Sequence, residues 1–298
     1  MIRTKEILIK LGNSGKGKEL SQEELHKLQK HLIKMYRDIE EVCQRHGLNV
    51  CLAYGNVIGA MRHNGWIPWD DDLDLHMSRE DYDRFLSEFA NELPSQYRVS
   101  SYLSEGGSFA RFAKIIDTTT VHIPIGGSKT EDSGVFVDLF PIDNVPVGRI
   151  KNRLCRIWSF FMMYTATSVM QVEEKSRRYK DLMFSSREGR ANWRFRQVWG
   201  RIFSFASSRT WHKWIEKFAQ NKKHTGYMHV MADLAICYKP VPKEYYFPFQ
   251  EIDLPEIGKV HIPNKYDEYL KLTYGDWRKV PDDAEKWHHY VSELYIPD

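Results

Sequence analysis

Cysteine is scarce in this sequence. The four residues, Cys43, Cys51, Cys155 and Cys237, show neither C-x-x-C spacing nor an evident pairing. They read as ordinary reduced thiols of a cytosolic protein, not as a disulfide framework. Long apolar runs are absent too: no stretch approaches 18 uninterrupted apolar residues, so no membrane-spanning segment is expected. The first residues, MIRTKEILIKLGNSGKGK, lack the apolar run and small-residue cleavage site of a secretory signal. No recognisable nucleic-acid-binding motif occurs.

What is present is enough to build a core. Apolar residues make up 42% and aromatic residues 13% of the 298, which argues against disorder. The length suits one large domain, or a core with an insertion. The formal net charge of +3 conceals a segregation. The segment from Arg149 to Lys223 holds 18 Lys and Arg against 5 Asp and Glu, whereas the rest of the chain holds 25 against 35. A basic middle therefore interrupts an acidic core, giving expected units of 1–148, 149–230 and 231–298.

The stretch AYGNVIGAMRHNGWIPWDDDLDLHM, from Ala53 to Met77, concentrates the chemistry. Asp70, Asp71, Asp72 and Asp74 fall within five positions. Beyond Asp72 a period of two sets in, placing Asp72, Asp74 and His76 on one strand face and Leu73, Leu75 and Met77 on the other. Like charges on one strand face repel unless a cation lies between them, which points to a divalent-metal site over a solvated acidic turn. The expected ion is Mg²⁺, with Mn²⁺ as the alternative.

Upstream, Gly12 to Lys18 fits the first seven positions of a phosphate-binding P-loop after a strand-like EILIKL. Glu19 then stands where the magnesium-holding hydroxyl belongs, so a flexible glycine-lysine loop is the better reading. A helix is expected from Ser21 to His46, with a capping box of Ser21 and Glu24 and a stop at Gly47. Leu48–Ala53 reads as a strand. Gly55 and Asn56 turn it into a helix start that offers backbone N–H groups to a phosphate, with Arg62 nearby. Trp66 and Trp69 suit either the core or stacking on a base or choline-like group.

Three further strands are expected at Tyr97–Leu103, Phe109–Ile116 and Gly134–Phe140. The second carries Arg111 and Lys114, which face opposite ways in a regular strand, so one of them is expected to reach a phosphate. The third places Asp138 alone among apolar residues, where a carboxylate is costly unless paired, for instance with Arg111, or metal-bound. Phe247–Leu254 and Lys259–Ile262 read as a hairpin, followed by the helix YDEYLKLTYGDW. His288 and His289 are given no role.

The order strand, glycine turn, D-x-D strand, later carboxylate strand is that of a nucleotidyltransferase-type fold. The expected fold class is α/β (α+β), a mixed sheet flanked by helices with a helical basic insertion. A nucleotide-sugar glycosyltransferase normally sets its D-x-D after several βα repeats, and one helix and one strand precede it here. The residues YGNVIGAMRHNGWIPWDDDLDLHMSREDYDRF, FAKIIDTTT, GVFVDLFPIDNVP and IPNKYDEYLKLTYGDW resemble the LicD family, related to the fukutin-type transferases. The family usually has Gly-Thr where this chain has Gly55-Asn56. The resemblance implies transfer of a phospho-alcohol, typically phosphocholine from CDP-choline, to a sugar of a surface glycan or its lipid-linked precursor.

The expectation is a Mg²⁺-dependent phosphotransferase. Asp72 and Asp74 bind metal, and Asp138 completes the site or deprotonates the acceptor. Asp70, Asp71, Gly55, Asn56, Arg62, Lys114 and Arg111 address substrate. The partners are a CDP-alcohol, a glycan acceptor and, through the basic segment, an anionic membrane on its cytoplasmic face, without nucleic acid. The competing readings are a nucleotide-sugar glycosyltransferase and a non-catalytic polyanion- or membrane-binding protein.

Overall fold

The computed structural model describes residues 4–104, 112–127, 129–220, 223–231, 240–282 and 290–297. The chain opens with helix α1 (Thr4–Leu11) and the long helix α2 (Gln22–Arg45). The apolar positions of α2 recur at three- and four-residue steps, and Leu25, Leu28, Leu32, Met35, Ile39 and Val42 are buried along one side. Its start is the expected capping box: Glu24 N–H donates to Ser21 Oγ at 3.2 Å, and Ser21 N–H donates to Glu24 Oε2 at 3.0 Å. Gly47, at φ +64°, takes the left-handed turn after the helix.

The strand expected in EILIKL is a helix instead. Ile7 and Leu11 of α1 pack on Met183 in the middle of the chain, a contact that apolar content alone cannot distinguish from strand packing. The glycine loop after it is a seat for an aromatic ring. A Cβ on Gly12 would lie 2.0 Å from the Tyr290 ring and one on Gly17 2.6 Å from its Cβ, while Tyr290 Oη donates to Asn13 Oδ1.

β1 (Val50–Leu52), α3 (Tyr54–Ile58), β2 (Asp74–Ser78), α4 (Arg79–Arg84), β3 (Tyr97–Ser100), β4 (Ala113–Asp117), β5 (Val121–Pro124) and β6 (Val135–Asn144) follow. All of these strands except β5 form a mixed sheet in the order β1-β2-β6-β4-β3. β2 runs parallel to β6, and the other neighbours in that order are antiparallel. The architecture is α+β, as the sequence pattern implies. β3 ends three residues before the expected Leu103, and β6 runs four residues beyond Phe140. Phe109–Arg111 lies outside the described residues, so the second expected strand is described from Ala113.

Four helices, α5 (Arg149–Glu174), α6 (Arg177–Phe184), α7 (Arg187–Ile202) and α8 (Ser208–Ala219), occupy the basic middle. They have an apolar cluster of their own, built on Met162, Met163, Ala166, Val169, Trp211 and Ile215. None of the described helices is long and apolar enough to cross a membrane. Arg79 fastens this unit to the sheet. Its guanidinium takes Asp143 of β6 through two bonds of 2.6 and 3.0 Å, and it also reaches Glu216 of α8. The chain then returns through β7 (Tyr227–His229), which pairs with the end of β6, and β8 (Val241–Pro242). After α9 (Lys243–Tyr246), the expected hairpin is β9 (Gln250–Leu254) with β10 (Gly258–Ile262). It is followed by α10 (Tyr266–Tyr274) and by β11 (Val291–Tyr295), which pairs with β5. β5 and β11 carry no strong sequence signal, because each finds its partner more than 160 residues away.

Candidate active site

The sheet register assembles a charged row. Asp74 on β2 and Asp138 on β6 are direct partners in the parallel pair, and Asp138 is in turn the direct partner of Lys114 on antiparallel β4. Residues directly opposite one another share a face at strand spacing, so the row runs carboxylate, carboxylate, ammonium. Lys114 Nζ lies 2.7 Å from Asp138 Oδ1 and 3.4 Å above the centre of the Phe136 ring. The lone carboxylate of an apolar strand is thus paired, and the partner is Lys114. Arg111, the other candidate, lies outside the described residues.

At the entrance to β2, Asp70, Asp71 and Asp72 each offer a carboxylate oxygen within 4.8 Å of the others. Among the described residues this is where three potential metal ligands converge. Burial pushes Asp70 well above the usual carboxylate range, and the charges of Asp72 and Asp71 push it the same way. A carboxylate cluster in that state relaxes by taking up either protons or a cation. The donors are all oxygen, which suits a hard divalent ion such as Mg²⁺ or Mn²⁺. Strand parity sets Asp70 and Asp71 apart from the Asp72–Asp74 pair; the fold places their side chains beside Asp72.

The backbone of this stretch is held from several directions. Asn56, 6% exposed, spans the D-x-D segment: its Nδ2 donates to Asp72 O at 3.1 Å and its Oδ1 accepts from Asp74 N–H at 2.8 Å. Asp138 N–H donates to Leu73 O at 3.0 Å. Gln29, which the sequence gave no reason to select, and Trp66 fix Asp70, whose carbonyl accepts from Gln29 Nε2 at 2.9 Å and from the Trp66 indole at 3.1 Å. Trp66 thereby acts as a structural residue. Gly55 passes so close to Asp70 that a Cβ would sit 3.3 Å from its Oδ2. At Gly59 a Cβ would meet Gly65 O at 2.8 Å, so the absence of a side chain lets the Gly65–Ile67 loop close over α3.

Arg62 is engaged elsewhere. Its Nη1 donates to Trp277 O at 2.7 Å and to Lys279 O at 3.1 Å, tying the end of the glycine turn to the C-terminal segment. Leu73, Leu75 and Met77 are buried as parity required. His76, on the opposite face, is fully buried as well. The rings of Tyr54, Phe140, Tyr246 and Tyr269 surround it, and burial lowers its pKa to about 3. The C-terminal elements α9 and α10 therefore roof this face two residues beyond Asp74.

The FAKIIDTTT block serves as scaffold. In FAKIIDTTT, Asp117 accepts from Thr119 N–H at 2.9 Å and pairs with His31 at 3.0 Å, while Thr120 Oγ1 accepts from Val135 N–H at 2.7 Å. These contacts set the β4–β6 register that aligns Lys114 with Asp138.

Fold and site together define a mixed-sheet α+β core that presents acidic residues from adjacent strands beside a glycine turn, the layout of a nucleotidyltransferase-like domain. Residues 47–166 match the family described as LicD/FKTN/FKRP, nucleotidyltransferase domain. Over 268 residues, covering 86% of this chain and 91% of the relative, it is 29% identical to the lipopolysaccharide cholinephosphotransferase LicD of Haemophilus influenzae. A 50-residue stretch, 17% of the chain, is 36% identical to uncharacterized proteins of Rickettsia prowazekii and Rickettsia typhi, covering 19% and 16% of them.

Proposed function

We propose that the protein transfers a phospho-alcohol, phosphocholine foremost, from a CDP-alcohol to a sugar hydroxyl of a lipopolysaccharide-type glycan or its lipid-linked precursor. The observation that supports this reading most is the Asp74–Asp138–Lys114 row with the Asp70–Asp72 cluster at its edge. Similarity over most of the chain to a lipopolysaccharide cholinephosphotransferase supports the donor and acceptor class.

Asp72 and Asp74 would hold the divalent ion, with Asp70 and Asp71 beside them. When bound, that ion supplies positive charge to the donor diphosphate. The turn at Gly55 and Asn56 offers backbone N–H groups to a phosphate, and Lys114 adds a cation on the same face. The acceptor oxygen attacks the phosphorus that carries the alcohol. A new phosphorus–oxygen bond to the sugar forms, the bond to the bridging oxygen breaks, and CMP leaves with that oxygen. Asp138 either completes the ligand set or takes the proton from the acceptor hydroxyl.

A donor panel of CDP-choline, CDP-ethanolamine, CDP-ribitol and nucleotide sugars, each scored for released nucleotide with Mg²⁺ and with chelator, tests the reading. Metal-dependent CMP release from a CDP-alcohol, lost in Asp74→Asn with an unchanged melting temperature, is expected. Release only from nucleotide sugars would overturn it in favour of a glycosyltransferase. Metal binding with no turnover on any donor would leave a non-catalytic cation site.

A further inference from the structure

The helices of the basic middle leave apolar side chains in water. On α5, Ile150, Leu154 and Ile157 follow one another at steps of four and three, so they share a side of the helix, and Ile150 is 76% exposed. On α7, Phe195, Val198 and Ile202 do the same, with Ile202 63% exposed. The two rows belong to one surface. Phe160 of α5 stacks on Tyr164 at 6.0 Å, and Tyr164 meets Phe195 of α7 at 6.2 Å. Exposed Trp158, Phe205 and Trp214 extend it, each leaning on an interior ring: Trp158 on Phe161, and Phe205 and Trp214 on Trp211. Monomeric proteins rarely leave so continuous an apolar face uncovered.

Its charge says what covers it. The first 24 residues of α5 contain no acidic residue, while Arg149, Lys151, Arg153 and Arg156 flank the apolar row. Along α7, Arg187, Arg190, Arg194, Arg196 and Arg201 stand against the single acid Glu188. A second copy of the chain would bring this cationic surface against itself. An acidic polymer would satisfy the arginines and leave the isoleucines, phenylalanines and tryptophans wet. A bilayer with anionic headgroups satisfies both, because the apolar rows enter the acyl boundary while the basic residues stay among the phosphates. Tryptophan rings at that depth have one end in hydrocarbon and the other in water.

We infer that the face formed by α5, α7, Phe205, and Trp214 of α8 is a peripheral docking surface for anionic phospholipid bilayers. It lies flat in the interface and does not span it. The inference holds independently of what the acidic site transfers.

Co-sedimentation with vesicles tests it. The full chain is expected to pellet with phosphatidylcholine vesicles containing phosphatidylglycerol and to remain in solution with phosphatidylcholine alone. The triple variant Ile150→Ser, Leu154→Ser, Ile157→Ser changes exposed positions only, so its melting temperature should hold while vesicle partitioning falls by about tenfold or more. Brominated acyl chains should quench wild-type fluorescence, and less so in Trp158→Phe, Trp214→Phe. Asp74→Asn should bind vesicles like the wild type, which separates this surface from the catalytic reading. Wild type left in the supernatant, or a triple variant that pellets like it, overturns the inference. So does a dimer that the triple variant dissolves without any vesicle binding, since a second copy then covers the face.

Discussion

The carboxamide of Asn56 bridges Asp72 and Asp74 through their backbones, donating to the carbonyl of one and accepting at 2.8 Å from the N–H of the other. The residue is a positioning residue: it fixes the spacing of two carboxylates without contacting them. Asn56→Ala should leave the sheet intact, cost about 1–3 kcal/mol for the unsatisfied buried groups, and lower kcat by about 10–100-fold. Thermal melts and single-donor kinetics measure the two effects separately, and an unchanged kcat would remove the positioning role.

Lys114 is the counter-charge of Asp138, its Nζ 2.7 Å from Oδ1. Lys114→Met removes the ammonium paired with Asp138 and leaves that carboxylate beside Asp74, so the variant should melt lower than wild type in chelator. It should also gain more on adding Mg²⁺, since a ligand that binds only the folded state stabilises it by mass action. A smaller Mg²⁺-induced rise than in wild type would place the ion away from Asp138.

Arg79 is shared between Asp143 and Glu216, both buried. Burial raises the pKa of Asp143 to about 7 against the pull of Arg79, and it raises that of Glu216 as well. Removing the cation strands two carboxyls between the sheet and the helical unit. Arg79→Met should therefore cost about 3–5 kcal/mol, read as a drop in the chemical-denaturation midpoint, and a neutral result would show that the pair merely fills space.

Gly59→Ala sets a Cβ 2.8 Å from Gly65 O. Overpacking against backbone should cost about 1–3 kcal/mol and displace the loop that leads into Asp70, lowering turnover along with stability. Gly65→Ala, where a Cβ meets nothing within 4 Å, is the matched control.

Asp267 anchors the C-terminal segment that Arg62 holds. Its carboxyl is lowered to about 2, first by Lys271 and then by Arg278 and the Trp277 indole. A depressed folded-state pKa means that the contribution is complete above the unfolded value near 4 and is lost as pH falls towards 2. The melting-temperature gap between wild type and Asp267→Asn should thus be flat from neutrality down to about pH 5 and close below about pH 4. A gap that already closes near neutrality assigns the effect to another group.

The sequence alone determined the elements whose information is local. The α2 helix, its Ser21–Glu24 cap and the β9–β10 hairpin follow from period and turn chemistry within a few residues. So did the buried side of β2, because alternation is a property of one strand. It also exposed the aspartate cluster and the basic middle, since like charges so close together need a counter-ion or a partner.

Tertiary structure decided what depends on register and on distant chain. The pairing of Asp74 with Asp138, and of Asp138 with Lys114, exists only once β2, β6 and β4 align. No local pattern announces that Gln29 holds Asp70, that Tyr246 and Tyr269 roof His76, or that Arg62 serves the C-terminal segment. EILIKL became a helix because its apolar residues met α6 and α7, a packing surface more than 160 residues away. Whether the apolar residues of α5 and α7 were core or surface was likewise fixed only by which sides of those helices their neighbours left open.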